Sequence, residues 1–487
     1  MHLCLELNEM KLLTGMKDLG GGGLSCVVGE LALDGGFGAR VNLEKVPLKV
    51  ENMAPWEIWV SESQERMMFT VKPEDVDRVL ARSKAWDVEA VPIGKVITEK
   101  RNIVRFNGVE ILNLDLEFTT GGPVYNRPYN LPDYDTGPAA PLPEYPADLG
   151  KTILDLVSQP EVASKDWVIR QYDHEVRGKT ALKPIQGPIG KDVPGDSSVL
   201  KPVDDSWKGL ALTTDVNPYL MEANPYHGTR SAVEEVCRNL AAVGARIDSL
   251  ADCLCFGNPR KPDNMGQFRA SCEALKDAAM AVDVPYVSGN VSLYNETADG
   301  AIPPTPVLMG VGLVEDIRNC TTSDMKRDGS IWLIGKTKEE MGASLYYRSI
   351  GKDCPDIPKT DFDSFIPRME QLIQAIEQGE VVACHDISTG GIAVAVIEMC
   401  MSGVGANIGL GEDMRADVEL FSESNGRWIV QVANGKEKGF ARRFDYATRI
   451  GEVGKNIAFS KDNDVIAEFE IDELRSAWTR PVWDRLA

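Results

Sequence analysis

The chain has no apolar run approaching the ~18 residues that a membrane helix needs, so it offers no helical span. Cations are in deficit: 52 Lys and Arg stand against 74 Asp and Glu, a formal net charge of −22. That excludes general binding to a nucleic-acid backbone, which rests on clustered cations. Small phosphorylated ligands stay open, because backbone amides and a few local cations can hold them. Histidine is limited to His2, His174, His227 and His385. The ten cysteines include one C-x-C (Cys253, Cys255) and no C-x-x-C. For a chain of this size this implies no disulfide framework, and it leaves any metal pair at Cys253 and Cys255 without nearby Cys or His to complete it. No cysteine shows a nucleophile-elbow context with a partner histidine, which excludes glutaminase chemistry. The first twenty residues carry Glu6, Glu9, Lys11, Lys17 and Asp18 and do not read as a secretory signal. A reducing cytoplasm is the expected compartment. What is present is ordinary globular composition, 43% hydrophobic and 26% charged over 487 residues, enough for roughly three domains of ~150 residues.

An internal repeat organises the chain. KDLGGGGLSCVVGELALDGGFGA (17–39) returns as HDISTGGIAVAVIEMCMSGVGA (385–406), aligning Asp18 with Asp386, Gly22-Gly23 with Gly390-Gly391, and Gly38-Ala39 with Gly405-Ala406. Downstream, SESQERMMFTV (61–71) matches SESNGRWIVQV (422–432), and IGKV (93–96) matches IGEV (450–453). Four landmarks in one order define an α+β unit of about 120 residues, present twice. Each copy reads as an amphipathic helix (1–13; 365–378), the D-x-x-x-G-G turn, an apolar helix, then short alternating strands including Met67–Val71 and Trp428–Val432.

Between the copies, residues 121–150 hold Pro123, Pro128, Pro132, Pro138, Pro141, Pro143 and Pro146, a linker that neither helix nor sheet can use. A third unit follows, with a strand at Gly209–Asp215, helices near 229–242 and 265–281, and a strand over 306–314. The reading is a B1 domain at 1–120, a proline-rich linker at 121–164, an A2 domain at 165–320 and a B2 domain at 321–487. A repeat that opens on a bare B unit predicts an A unit before Met1, and the chain reads as truncated or split.

DLGGGGL, SESQERM, WVIRQYDHEVRG (167–178), DCLCFGNPRKPDNMGQF (252–268), SGNVSLYNET (288–297) and PPTPVLMGVGLVED (303–316) together resemble the small-type synthase subunit family of phosphoribosylformylglycinamidine synthase (PurL). The likeness extends over essentially the whole chain. It implies PurM-like (aminoimidazole ribonucleotide synthetase-like) α+β units in the order B1-A2-B2. It also implies an ATP-dependent C–N ligase of purine biosynthesis that converts formylglycinamide ribonucleotide to formylglycinamidine ribonucleotide with Mg²⁺. Implied partners are a glutaminase subunit, a small accessory subunit, and a polypeptide carrying the missing A1 unit or else self-association through the exposed A2 sheet edge. A non-catalytic Mg-ADP-binding subunit of the same complex is the rival reading.

Asp18 precedes four glycines and a helix start, which suits a Mg²⁺ ligand beside phosphate-binding amides, and equally an N-cap with turn glycines. The resemblance favours the metal. It assigns Glu62, Ser63, Gln64 and Ser292 to substrate, Asp252 and Gly289 to ATP, and Asn290 to Mg²⁺. Asp386, Gly390 and Gly391 repeat the first motif and are read as an ancillary nucleotide site. In the second copy Asn425 and Gly426 replace Gln64 and Glu65, which places substrate in the first copy. Asp215 is a further strand-end metal candidate. His385 is expected to be a surface or capping residue, and His174 to order its segment. The family's catalytic histidine belongs to the missing A1 unit, so no catalytic residue is assigned. NPYHG (224–228) and Cys255 depart from the family's usual residues.

Overall fold

Alternating short strands and two kinds of helix, amphipathic and wholly apolar, give the mixed α+β architecture that the pattern predicts. The computed structural model describes every residue except 123, 136–140, 173, 176, 353 and 487. Pro123 and Pro138 of the proline-rich stretch, and Asp173 and Val176 of the 167–178 motif, lie outside the described residues. The chain divides into two units, Met1–Asn126 and Arg127–Ala487. Among the described residues, no helix is long and apolar enough to cross a membrane.

In the first unit, strand Leu13–Asp18 pairs antiparallel with Met67–Val71, with Asp18 opposite Met67. A separate four-stranded sheet runs Gly94–Ile97, Gly38–Asn42, Arg101–Phe106, Val109–Asp115. Helix Leu24–Asp34 buries Leu24, Val28 and Ala32, a four-residue spacing that makes one stripe, in a cluster with Val41 and Val104 of that sheet. Helix His2–Glu9 buries Leu3 and Leu7 in a second cluster with Leu12, Val79, Phe69 and Val71. It stops short of the expected residue 13 because Lys11 takes a left-handed conformation (φ 53°), which ends the helix and lets Leu13 begin a strand.

In the second unit a seven-stranded sheet runs in the order Val381–Asp386, Trp428–Val432, Ser330–Ile334, Ala447–Gly454, Gly405–Gly409, Ile457–Lys461, Asp464–Phe469. Helix Gly391–Cys400 is buried almost all round in one core cluster, and Phe362–Glu377 contributes Phe365, Met369, Leu372, Ile373 and Ile376 to another. A six-stranded sheet runs Tyr286–Ser292, Arg246–Cys255, Thr305–Val314, Gly209–Asp215, Ser198–Leu200, Thr180–Leu182, with only its first pair parallel. Helix Pro225–Ala242 packs on its central strands. That helix begins four residues earlier than expected because Asn224 caps it, its Oδ1 accepting from the His227 amide at 3.1 Å, and Pro225 fits the first turn. Described residues of the proline-rich stretch are tied down: Asn130 Nδ2 donates to Asp263 at 2.7 Å, Tyr134 Oη to Glu273 at 2.7 Å, and Arg415 to the Pro143 carbonyl at 2.9 Å.

The repeat holds to the level of strand register. Asp386 lies opposite Trp428 as Asp18 lies opposite Met67. Gly38 and Ala39 face Ile97 and Val96, as Gly405 and Ala406 face Gly454 and Val453. Ala39 pairs in parallel with Asn102 as Ala406 does with Ile457.

Candidate functional site

The glycine turns are braced identically in both copies. The Gly22 amide donates to Glu62 Oε1 at 2.8 Å, and the Gly390 amide donates to Glu423 Oε1 at 2.8 Å. Arg66 donates to the carbonyls of Ser61 and Ser63, and Arg427 to those of Ser422 and Ser424. The serine pairs face each other in both, at 3.3 Å for Ser61 and Ser63 and 2.9 Å for Ser422 and Ser424. The S-E-S-x-x-R string is therefore a latch: its glutamate holds a turn amide and its arginine holds its own loop. Gly426 takes the left-handed position that Glu65 occupies in the first copy (φ 72° and 63°), so the backbone repeats where the side chains differ.

Around Asp18 the first turn is open. Asp18 is exposed at the end of its strand, and an added Cβ on Gly21 would meet nothing within 4 Å. Ser25 Oγ donates to the Gly22 carbonyl at 2.6 Å. An exposed carboxylate beside accessible glycine backbone fits a hard cation and the phosphate it accompanies. The second turn is closed: Asp386 is buried and its Oδ2 accepts from Arg238 Nε at 3.0 Å. Glu423 is buried and shared between the amides of Gly390 and Leu345, both at 2.8 Å. Burial pushes its carboxyl up to about 7, against the pull of those two amides.

In the six-stranded sheet, the parallel pairing sets Asp252 beside Gly289, Cys253 beside Asn290 and Cys255 beside Ser292. The four residues assigned to nucleotide, metal and substrate thus share the end of one strand pair. A Cβ at Gly289 would lie 2.7 Å from Asp252 Oδ1, so any side chain there would have to displace the Asp252 carboxylate. Asn290 Nδ2 lies 3.7 Å from Cys253 Sγ, and Ser292 Oγ donates to Asn295 Oδ1 at 3.3 Å. The edge strand Tyr286–Ser292 is exposed through residues 287–291.

At a third locus the sequence singled out only separate residues, Asp386 in the ancillary nucleotide motif and Asp215 as a strand-end metal candidate. A cavity of about 390 Å³ is lined by Asp196, Thr213, Glu235, His385, Asp386 and Glu398, among others. His385 is not the surface or capping residue expected: it is buried, with Nδ1 2.7 Å from Asp196 Oδ1 and Nε2 3.0 Å from Glu398 Oε2. Burial disfavours its charged form, but the two carboxylates outweigh that and hold its pKa well above the ordinary value. Asp196, His385 and Asp386 offer ligand atoms all within 4.8 Å of one another. Asp215 Oδ2 is buried with no hydrogen-bond partner. Six carboxylates (Asp196, Asp215, Glu234, Glu235, Asp386, Glu398) surround two cations, Arg238 and His385. The ligand atoms of Asp196, His385 and Asp386 form a candidate cation group, in which Asp196 and Asp386 would supply the hard oxygen ligands. The signal for this locus lay in residues far apart in sequence, with no spacing to reveal them.

Asp215 also predicts a pH effect. Burial pushes its carboxyl up to about 7, Asp386 adds to the rise and Arg238 opposes it. The unfolded chain loses this proton near pH 4, so between pH 4 and 7 the folded state binds more protons and stability falls as pH rises. Asp215→Asn is expected to remove a decline of about 2–4 kcal/mol across that window, measured by urea denaturation in EDTA at stepped pH.

Comparison with known proteins follows the same division. The AIR synthase related protein C-terminal domain matches residues 1–107 and 328–459, and the AIR synthase related protein N-terminal domain matches 194–314. Among curated relatives, the phosphoribosylformylglycinamidine synthase subunit PurL of Thermoplasma acidophilum is 36% identical over 97% of this chain and 63% of its own length. The Thermococcus sibiricus subunit is 38% identical over 97% of this chain and 65% of its own. This chain therefore spans a little under two thirds of the relatives it matches. Among solved structures, Thermotoga maritima PurL complexed with ADP superposes with a TM-score of 0.68, at 23% identity, over 93% of this chain and 66% of that one, a likeness of fold.

Proposed function

The chain belongs to the AIR synthase related protein family, and on that premise we propose that it is a portion of a phosphoribosylformylglycinamidine synthase. The proposed reaction joins formylglycinamide ribonucleotide, ATP and ammonia to give formylglycinamidine ribonucleotide, ADP and phosphate. The substrate's amide oxygen takes the γ-phosphoryl group of ATP, and ammonia then displaces it as phosphate. The observation that carries this reading is identity of 36–38% with PurL subunits sustained over 97% of the chain.

Mg²⁺, when bound, would neutralise phosphate charge and align the transferring group. Within the first unit Asp18 is a proposed Mg²⁺ ligand and Ser63 and Gln64 are proposed substrate contacts. Within the second unit, taken by itself, Asn290 is a proposed Mg²⁺ ligand, Asp252 and Gly289 are proposed nucleotide contacts and Ser292 a proposed substrate contact. Glu62 acts by fixing the Gly22 amide, so its proposed substrate contact uses the carboxylate oxygen left over. Asp386, Gly390 and Gly391 belong to the ancillary nucleotide reading. Because the Gly390 amide is committed to Glu423, the carboxylates of Asp196 and Asp386 are the side of that site that would meet a cation. The proposed setting is the cytoplasm, with a glutaminase subunit supplying ammonia, a small accessory subunit, and a polypeptide carrying an A1 unit with the general base.

The test is ADP formation by the purified chain with Mg-ATP, ammonium and formylglycinamide ribonucleotide. No turnover alone, restored by a separately made A1 polypeptide, is the expected result. Turnover by the chain alone would overturn the need for that unit. Silence in both, with Mg-ADP retained by the chain, would favour the non-catalytic binding subunit, which the cation-competent buried cavity also suits.

A further inference from the structure

Cys253 and Cys255 have no part in the reaction proposed above. They close strand Arg246–Cys255, two residues apart in extended chain and therefore on one face of the sheet. The intervening Leu254 points the other way, 5% exposed in the core cluster that includes Val236 and Leu240 of helix Pro225–Ala242. The strand is held on both sides. Cys253 lies opposite Asn290 and Val307, and Cys255 opposite Ser292 and Thr305. Two flanking ladders fix the backbone, so the sheet sets the spacing of the two thiols. Their sulfurs lie 3.9 Å apart, and both side chains are half-buried. Asn290 Nδ2 donates to Cys253 Sγ at 3.7 Å, which turns that sulfur toward the edge strand.

A disulfide is the poorer use of such a pair. Residues two apart in a strand stand about 6.6 Å from one another, at the outer end of the usual Cα separation for a disulfide. The two ladders oppose any shortening. A metal ion needs none. With metal–sulfur bonds of about 2.3 Å, these sulfurs would subtend about 116° at the ion, between tetrahedral and trigonal geometry. Zinc asks for four ligands in a structural site. Among the described residues, the one group of three or more His, Cys, Asp or Glu side chains that could hold a metal is that at His385, not here. Two thiolates without a harder donor select a soft ion, of which monovalent copper is the type.

We propose that Cys253 and Cys255 form a two-thiolate chelating site for a soft, thiophilic metal ion of the monovalent copper class, with a third position open to a ligand from solution. On binding, the two S–H protons leave to solvent and two metal–sulfur bonds form, with no change in oxidation state. The ion lies on the strand pair that carries Asn290 and Ser292, but its binding does not depend on the reaction proposed for those residues.

Titration of the full chain with Cu(I) under argon, against ferrozine as competing chelator, tests the site. Cys253→Ser and Cys255→Ser are each expected to weaken the tightest binding step by roughly a hundredfold or more, because each turns a chelate into a single contact. Cys26→Ser removes an exposed thiol elsewhere and is expected to leave that step unchanged. Phenylarsine oxide supplies a second readout on the unaltered chain, should a serine variant misfold. Its oxygen leaves as water with the two thiol protons, two arsenic–sulfur bonds form, and Cys253 and Cys255 are expected to be protected together from alkylation by iodoacetamide. Three results would overturn the proposal: a native chain that takes no copper from ferrozine, tight binding that survives both serine variants, or an arsenical-treated chain in which Cys253 and Cys255 are still alkylated.

Discussion

Replacing Arg238 with methionine is expected to lower the stability of the second unit by about 3–5 kcal/mol, read from urea denaturation. Arg238 is 1% exposed and bonds Glu234, Glu235 (3.2 Å) and Asp386 (3.0 Å). Burial works against its charge, and the three carboxylates outweigh burial to raise its pKa. Methionine fills much of the volume but leaves three carboxylates without their cation, and uncompensated buried charge is the expensive outcome. The loss is therefore expected to shrink when Glu234→Gln and Glu235→Gln are added. A loss that those changes leave untouched would mean that packing, not charge, carries the effect. Since the Arg238 side chain holds Asp386, Nε donating to Oδ2 at 3.0 Å, the variant is also expected to loosen the cavity at His385.

The second large effect concerns glycines that share one role in the two copies. Gly391 has φ 68°, and a Cβ there would lie 2.5 Å from the Leu420 carbonyl oxygen and 2.6 Å from that of Ser422. Gly23 has φ 56°, and its Cβ would lie 2.1 Å from the Ser61 carbonyl oxygen. Left-handed backbone costs an ordinary residue about 1–2 kcal/mol, and overpacking adds about 1–3 kcal/mol. Gly391→Ala and Gly23→Ala should each cost about 2–5 kcal/mol in the unit that holds them. Gly21→Ala, with open space around it, should stay within about 1 kcal/mol. Thermal melts of the three variants decide this. Equal effects at positions 21 and 23 would sink the argument that the close approach of the S-E-S loop fixes the turn.

The repeat was legible because it is written as strings. D-x-x-x-G-G, S-E-S and I-G-x-V kept their order, and strand registers matched the alignments built on them. Helices were found by apolar spacing, but their ends were misplaced where a single residue decided them, as Asn224 does by capping and Lys11 by its left-handed backbone. The strand-end group at Asp252, Gly289, Asn290 and Ser292 was legible as motifs, and pairing brings these residues side by side. His385 was misjudged because its partners Asp196 and Glu398 lie 189 and 13 residues away, with no spacing rule connecting them.

By itself, then, the sequence determined the repeat, the α+β class, the family resemblance and which turns carry glycine, because local backbone demands and long shared strings are properties of contiguous residues. Tertiary structure alone decided two things. It made Glu62 and Glu423 braces of the glycine turns, and it gathered six carboxylates around Arg238 and His385. Each depends on which distant segments meet, and the energy of a buried charge is set by that meeting rather than by the residues on either side in the chain.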